Sequence, residues 1–154
     1  MGHIHETDKD ERFRFLFVSF GQCVRGSYRA IRKVIVLDET FLKSKFKGVI
    51  LVATALDGNS NFYPLAFGIV DSENDRSWDW FIRQLKFVIA DEQSLAFVSD
   101  RNTSLAKAIV NVYPQSHQEI CIHHLLNNVV TYFHGKGLVG LVAKASKPYR
   151  IADF

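Results

Sequence analysis

The sequence is poor in the features that mark disulfide-rich, membrane-spanning or repetitive proteins. Its two cysteines, Cys23 and Cys121, are too few for a disulfide framework and suit a reducing compartment. No apolar run approaches the ~18 residues of a membrane span. The N-terminal stretch MGHIHETDKDERFR is too charged for a signal peptide, which argues against secretion. Without internal repeats or low-complexity stretches, the sequence predicts one domain that is not embedded in a membrane.

The composition is that of a globular protein. Hydrophobic residues make up 47% of the 154 positions and charged residues 23%, which excludes an intrinsically disordered chain. The 19 basic residues exceed the 16 acidic ones and give a net charge of +3. This small excess is only a weak indication of an anionic partner.

Two aspartates each follow a short apolar run. Asp38 follows the segment KVIVL and Asp100 follows LAFVS. In open α/β sheets the carboxyl ends of the strands are where ligand sites are built. Two carboxylates brought together there predict a site for a divalent metal ion. The alternative is that each aspartate only begins a turn, which is common for this residue.

The hydrophobic pattern predicts an α/β fold with a mixed sheet flanked by helices. In chain order it predicts strands at Val34–Leu37, Val49–Ala55 and Phe62–Val70, a helix capped by Asp75 or Ser77, a strand ending at Asp100, a helix at Thr103–Val112, and a strand at His117–Ile122. The first three strands form an antiparallel meander. The segments Val34–Asp38 and Leu95–Asp100 are then expected to be parallel neighbours. Pro64 lacks an N–H, which predicts that the third strand lies at the sheet edge or starts late.

Four motifs occur in a fixed order: LDETFLK with Asp38, YPLAFGIVDSEN followed by SWDWF, SDRN with Asp100, and a C-x-x-H pair formed by Cys121 and His124. Together, from about Phe15 to the C-terminus, they resemble the transposase domain of plant Mutator-like elements. That resemblance implies a ribonuclease H-like fold and metal-dependent DNA cleavage and strand transfer. It also implies Asp38 and Asp100 as catalytic ligands of Mg²⁺ or Mn²⁺. DNA as the partner, a homo-oligomer of the intact transposase, and a nuclear location without membrane contact are expected.

The resemblance also implies three segments and an incomplete site. Residues 1–14 are expected to be a polar tail, 15–122 an incomplete ribonuclease H-like core, and 123–154 the truncated beginning of a helical insertion. Relatives carry a third acidic ligand, a glutamate, beyond that insertion, so this chain is expected to hold half a site and to be inactive alone. The in-chain substitutes are disfavoured: Glu119 on the last strand, Asp71 and Glu73 at the far edge, and Glu39, which should face away from Asp38 by strand alternation.

Several other residues have two open interpretations. Cys121 and His124 form either a zinc or DNA-proximal pair, or a packed cysteine and a hydrogen-bonded histidine. Arg101 and Asn102 either hydrogen-bond a phosphate or hold the Asp100 rotamer, or the segment only supplies a helix N-cap at Asn102 or Thr103. Lys43, Lys45 and Lys47 either track a DNA backbone or are solvated.

Three functions are consistent with these patterns. The first is a fragment of a Mutator-like transposase catalytic domain. The second is a DNA-binding or transcriptional protein domesticated from such a transposase. The third is an inert transposon relic. Retention of both Asp38 and Asp100 favours descent from an active enzyme.

Overall fold

The structure of the protein, a computed structural model, describes residues 2–10, 12–21, 31–43, 47–57 and 62–121. The chain divides into two compact units, Met1–Glu119 and Ile120–Phe154, and the described residues of the second are Ile120 and Cys121. Predictions about the helical insertion, His124 and Lys45 therefore lie outside the described residues. Within the described ranges, no helix is long and apolar enough to cross a membrane.

The described residues form seven strands and two helices, which we number in chain order. They are β1 (Gly2–Thr7), β2 (Phe13–Ser19), β3 (Ile31–Phe41), β4 (Val49–Asp57), β5 (Phe62–Val70), α1 (Asp75–Lys86), β6 (Ala96–Ser99), α2 (Thr103–Val112) and β7 (His117–Ile120). The order of the last seven elements is the one that the hydrophobic pattern predicts.

The seven strands form one mixed sheet in the order β1-β2-β5-β4-β3-β6-β7. Strands β3, β4 and β5 form an antiparallel meander. Strand β6 pairs with β3 in parallel, with Ile35 opposite Phe97. The predicted α/β class, the meander and the parallel pairing are confirmed.

Strand β3 is longer than predicted. The apolar run ends at Leu37, but β3 continues to Phe41, and Asp38 is paired with Val52 inside the β3–β4 ladder. The extension is stabilised by pairing with the apolar start of β4, where Thr40 lies opposite Ile50 and Phe41 opposite Val49. Asp38 is therefore within a strand, whereas Asp100 directly follows the end of β6.

The N-terminal residues are not the polar tail that their composition predicts. Gly2–Thr7 form β1, which pairs antiparallel with β2 from Gly2 opposite Ser19 to Thr7 opposite Phe13. All but one residue of β1 are exposed, so its sequence lacks the alternation of apolar and polar residues that predicts a strand. Strand β2 does alternate, and it buries Phe15 and Phe17.

The addition of β1 and β2 places β5 inside the sheet, so the prediction that β5 is an edge strand is wrong. Strand β2 pairs with β5 only from Ala66 to Val70. Pro64 precedes that stretch and lies opposite Thr54, next to an irregularity in the β4–β5 register. The missing N–H is therefore placed where β2 no longer pairs with β5.

Helix α1 covers one face of the sheet. Its N-cap is Asn74, whose side chain accepts a hydrogen bond from Ser77 N at 3.0 Å, instead of the predicted Asp75 or Ser77. Its large buried residues recur at three- and four-residue intervals and form one apolar stripe: Trp78, Phe81, Ile82 and Leu85. Trp80 is partly buried and stacks against Phe15 with ring centroids 4.9 Å apart.

Helix α2 packs beside α1 and follows the prediction closely. Its bounds are those predicted, and its buried residues are Leu105, Ala108, Ile109 and Val112. Tyr113, at its C-cap, contacts Phe97 of β6 at a centroid distance of 4.9 Å and donates a hydrogen bond to Ile89 O at 3.0 Å. These contacts fasten the end of α2 to β6 and to the segment after α1.

We predict that Gly68→Ala destabilises the protein through the contact between β5 and α1. A Cβ at Gly68 would lie 2.6 Å from Phe81 Cδ2, so the buried ring must move. The expected loss is roughly 1–3 kcal/mol in the free energy of unfolding, measured by urea denaturation. Gly2→Ala is the matched control, because its Cβ would meet its nearest neighbour, Ser19 Oγ, at 3.4 Å. Equal stability of the two variants would contradict this packing.

Candidate functional site

Asp38 lies in β3, and Asp100 directly follows β6, the strand that pairs with β3 in parallel. The register pairs Val36 with Val98, and each aspartate comes two residues later. Alternation places Asp38 on the face of Val36, whereas Asp100 directly follows the end of β6, where alternation no longer applies. Asp38 is exposed and Asp100 is half-buried. The two residues thus come to the same end of the sheet, while their catalytic role stays a prediction.

Local hydrogen bonds hold both aspartates. Asp38 Oδ1 accepts a hydrogen bond from the backbone N–H of Glu39 at 3.0 Å. Asp100 Oδ1 accepts one from the backbone N–H of Asn102 at 2.9 Å, which closes a turn directly after β6. The aspartate-turn interpretation therefore holds for Asp100, and it is compatible with a ligand role because a carboxylate has further lone pairs.

Glu39 is electrostatically coupled to this end of the sheet. Burial raises the pKa of its carboxyl to about 7, and the negative charges of Asp100, Glu73 and Asp38 act in the same direction. The expectation that Glu39 takes no part was based on strand alternation, which does place it on the opposite face from Asp38. Beyond Ser99 there is no strand, so alternation no longer separates Asp100 from Glu39.

Glu73 joins the group through a network that the sequence does not reveal. Its Oε1 accepts hydrogen bonds from Trp78 Nε1 at 3.3 Å and from the side-chain amide of Asn102. The prediction that Glu73 lies at the far edge is therefore wrong. The segment after β5 crosses back toward β6 before α1 begins. No local motif signals this contact, because Glu73 and Asn102 are far apart in sequence.

Asn102 connects the parts of this network. Its backbone N–H holds Asp100, its side-chain amide donates to Glu73, and its Oδ1 accepts from Leu105 N at 3.0 Å as the N-cap of α2. The predicted cap at Asn102 is confirmed. A single residue thus couples the start of α2 to two carboxylates.

The other acidic candidates lie elsewhere. Asp71 forms an ion pair with Arg14 of β2 at 3.4 Å. Glu119 is exposed on β7, which is separated from β3 by β6. Neither residue contributes to the raised pKa of Glu39.

Arg101 and Cys121 are described, but their roles are not decided. Arg101 is exposed directly beside Asp100, and Cys121 is a half-buried free cysteine. His124, the second member of the C-x-x-H pair, lies outside the described residues. The zinc or DNA-proximal role of Cys121 and His124 therefore stays a prediction.

We call Asp38, Glu39, Glu73 and Asp100 the acidic group. Its side chains are of the kind that binds a cation, but they do not enclose one. Its donors are carboxylate oxygens, the hard ligands that Mg²⁺ and Mn²⁺ prefer. Among the residues that the structure describes, no three His, Cys, Asp or Glu side chains are grouped as metal ligands. Mg²⁺ commonly keeps several waters and uses one or two carboxylates, so the donor set fits such an ion.

Comparison with known proteins shows similarity to one domain family and to a longer plant protein. Residues 34–128, more than half of the chain and including most of β3 and all of β4 to β7, match the MULE transposase domain. A relative from Arabidopsis thaliana, Protein FAR1-RELATED SEQUENCE 6, is 24% identical over 112 residues, which cover 73% of this chain and 16% of the relative. The chain thus spans a small part of that protein's length. The family match identifies the chain as a member of the MULE transposase domain family.

Proposed function

We propose that this domain performs metal-dependent DNA cleavage and strand transfer as part of an intact transposase, with Asp38 and Asp100 as metal ligands. The observation that carries the proposal is the placement of Asp38 in β3 and of Asp100 directly after β6, two adjacent parallel strands of a MULE transposase domain. DNA is the proposed partner and the nucleus the proposed location. A homo-oligomer is proposed for the intact transposase.

The strand order supports a ribonuclease H-like core. An antiparallel meander, β3-β4-β5, is joined on its β3 side by a parallel strand, β6, and then by β7. In this proposal β1 and β2 are an N-terminal addition to the β5 edge. The core begins at β3, where the family match also begins.

The charge of the site supports cation binding. The negative charges of Asp100, Glu73 and Asp38 add to burial in raising the pKa of the Glu39 carboxyl to about 7. Burial is the largest cause of this raised pKa and charge repulsion a smaller one, which a divalent cation would offset. When bound, Mg²⁺ or Mn²⁺ supplies an activated oxygen nucleophile and stabilisation of the leaving oxygen.

The protein's own residues have separable roles in this proposal. Asp38 and Asp100 hold the ion. Glu73 is a positioning residue, because its Oε1 is already occupied by Trp78 and Asn102. Asn102 fixes the orientation of Asp100 through its backbone N–H. Preorganised carboxylates of this kind lower the cost of placing a phosphate beside the ion.

A second candidate is a DNA-binding protein that derives from a transposase and has no catalytic activity. It is favoured by the lack of a three-ligand group within the described ranges. In that case the acidic residues are inherited, and DNA binding persists without cleavage. The nicking experiment below separates the two candidates.

We predict weak binding of Mg²⁺ or Mn²⁺ at Asp38 and Asp100. Two carboxylates leave most coordination positions to water, so affinity is expected to be low. Isothermal titration of Mn²⁺ should give heat with the wild type and none with the Asp38→Asn/Asp100→Asn double variant. Asp10→Asn, in the exposed turn after β1, is the control and should titrate like the wild type. Equal heats from the double variant would argue against a metal site here.

We predict that the metal-free protein loses stability as the pH rises from about 5 to 8. The folded-state pKa of Glu39 is about 7, above its ordinary value of 4.5, so the folded state retains a proton that the unfolded chain releases. Glu39→Gln should show a smaller fall in melting temperature over this window, and Mg²⁺ should flatten the wild-type profile.

This pH range separates the effect of Glu39 on stability from the effects of other carboxyls whose pKa is shifted. Hydrogen bonds from Ser104 and Lys33 lower the pKa of Asp75 and Glu92, respectively, so stability that depends on those groups is lost only at more acidic pH. Glu119→Gln, on exposed β7, is the matched control. Identical profiles for Glu39→Gln and the wild type would show that Glu39 is not coupled to the acidic group.

We predict little or no DNA nicking by residues 1–154 alone. Two metal ions carry four positive charges, which Asp38 and Asp100 balance only in part. Fusion to the acidic downstream segment of a longer family member should give Mg²⁺-dependent nicking of supercoiled plasmid. Asp100→Ala should then reduce the rate at least ~100-fold, the scale of removing a positioned electrostatic group. Failure of the fusion to nick, with DNA binding intact, would favour the non-catalytic candidate.

A further inference from the structure

One edge of the acidic site carries an exposed aromatic side chain. Phe41, the last residue of β3, is 65% exposed, although it is a large apolar residue in a strand. It lies two residues after Glu39 and therefore on the same face of the sheet, about 7 Å farther along the strand. The position is next to Glu39, on the face opposite to that of Asp38, and outside the hydrophobic core.

The exposure of side chains to solvent increases toward the end of β3 along this face. Ile35 and Leu37 are buried at 3% and 1% exposure, Glu39 is half-buried, and Phe41 is open to solvent. Val49, the partner of Phe41 across the β3–β4 ladder, is again buried. Phe41 is thus exposed at a place where its cross-strand neighbour belongs to the core.

Two cations follow the aromatic residue. Leu42 N donates to Gly48 O at 2.9 Å, so the pairing of the two chain segments continues beyond Phe41. Lys43 and Lys47 flank the connection to β4, and both are exposed. If alternation continues, Lys43 shares the face of Glu39 and Phe41, about 13 Å from Glu39.

We infer that Phe41, Lys43 and Lys47 form a binding surface for an unpaired DNA strand, with one base stacked on Phe41 and the backbone phosphates on the lysines. This rests on the proposed function, in which the acidic group holds a cation beside a phosphate. An aromatic ring accepts any base by stacking, and lysines neutralise phosphates. The DNA strand is negatively charged and therefore needs cations where it leaves the acidic group. Lys43 and Lys47 provide them.

The surface assigns different roles to the ring and to the charges. Stacking contributes affinity with little salt dependence, whereas each neutralised phosphate adds a salt-dependent part. The two contributions can therefore be separated in one binding assay. Phe87, which is 82% exposed at the C-cap of α1, provides a matched aromatic control. It is roughly 18 Å along the helix axis from the end of α1 that is near Glu73.

The experiment is a titration of the full chain, with Mg²⁺ present, into a fluorescein-labelled single-stranded DNA and a second strand containing 2-aminopurine. Phe41→Ala should weaken anisotropy-detected binding by roughly 5- to 150-fold and abolish the 2-aminopurine quenching. Its salt slope should be unchanged. Phe41→Trp should restore quenching. The Lys43→Ala/Lys47→Ala variant should lower the salt slope by roughly 0.7 for each phosphate that the lysines no longer neutralise.

Other results would overturn the inference. If Phe41→Ala and Phe87→Ala bind and quench like the wild type, the strand lies elsewhere and this surface is not used. Absence of strand binding by the wild type would also overturn it. Tighter binding of duplex than of single-stranded DNA, unaffected by Phe41→Ala, would do the same. The proposed function is judged separately by metal titration and by nicking, so failure of the surface and failure of the function are distinguishable.

Discussion

The parallel pairing of β3 with β6 is the constraint on which the site depends. Parallel strands need a crossover, and here the chain makes β4, β5 and α1 before β6 returns beside β3. The pairing aligns the directions of the two strands, so the residues that follow their apolar runs come to the same end of the sheet. Asp38 and Asp100 are neighbours for this reason and not because they are close in sequence. Any change that weakens the packing of α1 or α2 on the sheet would act on this alignment.

The same arrangement brings several carboxylates to one end of the sheet. The environments of these carboxylates differ. Glu73 is tied by Trp78 and Asn102, which gives its carboxylate a structural use. Glu39 has a different environment, in which burial and the neighbouring charges make its ionised form costly near neutral pH. In the proposed function, a bound cation would offset the part of this cost that comes from the neighbouring charges.

Sequence patterns predicted the elements whose signal is local. The stripe of α1 from Trp78 to Leu85, the bounds of α2, and the β3–β6 pairing follow from periodicity and from the βαβ rule. The predictions that failed concern residues whose partners are distant in the sequence. Strand β1 is exposed on nearly every residue and exists because β2 offers a pairing edge. Glu73 approaches Asn102 only after the chain has folded, and alternation misjudged Glu39 because it does not apply past the end of β6. The arrival of the two aspartates at one end of the sheet was thus predictable, but the environments of Glu39 and Glu73 were not.

The middle of β3 contributes to the core, and its end contributes to the proposed DNA-binding surface. Ile35 and Leu37 at its centre are buried, and this burial fixes the position of everything that follows them. Three residues after Asp38 the core no longer covers the strand, so Phe41 is exposed while Val49 beside it stays buried. A rigid strand holds an exposed ring more exactly than a loop does, since its backbone is fixed by the ladder. Preorganisation of this kind reduces the entropy cost when a ligand stacks on the ring. The exposed end of β3 therefore presents an aromatic side chain near Glu39 on a backbone that is fixed by the β3–β4 ladder.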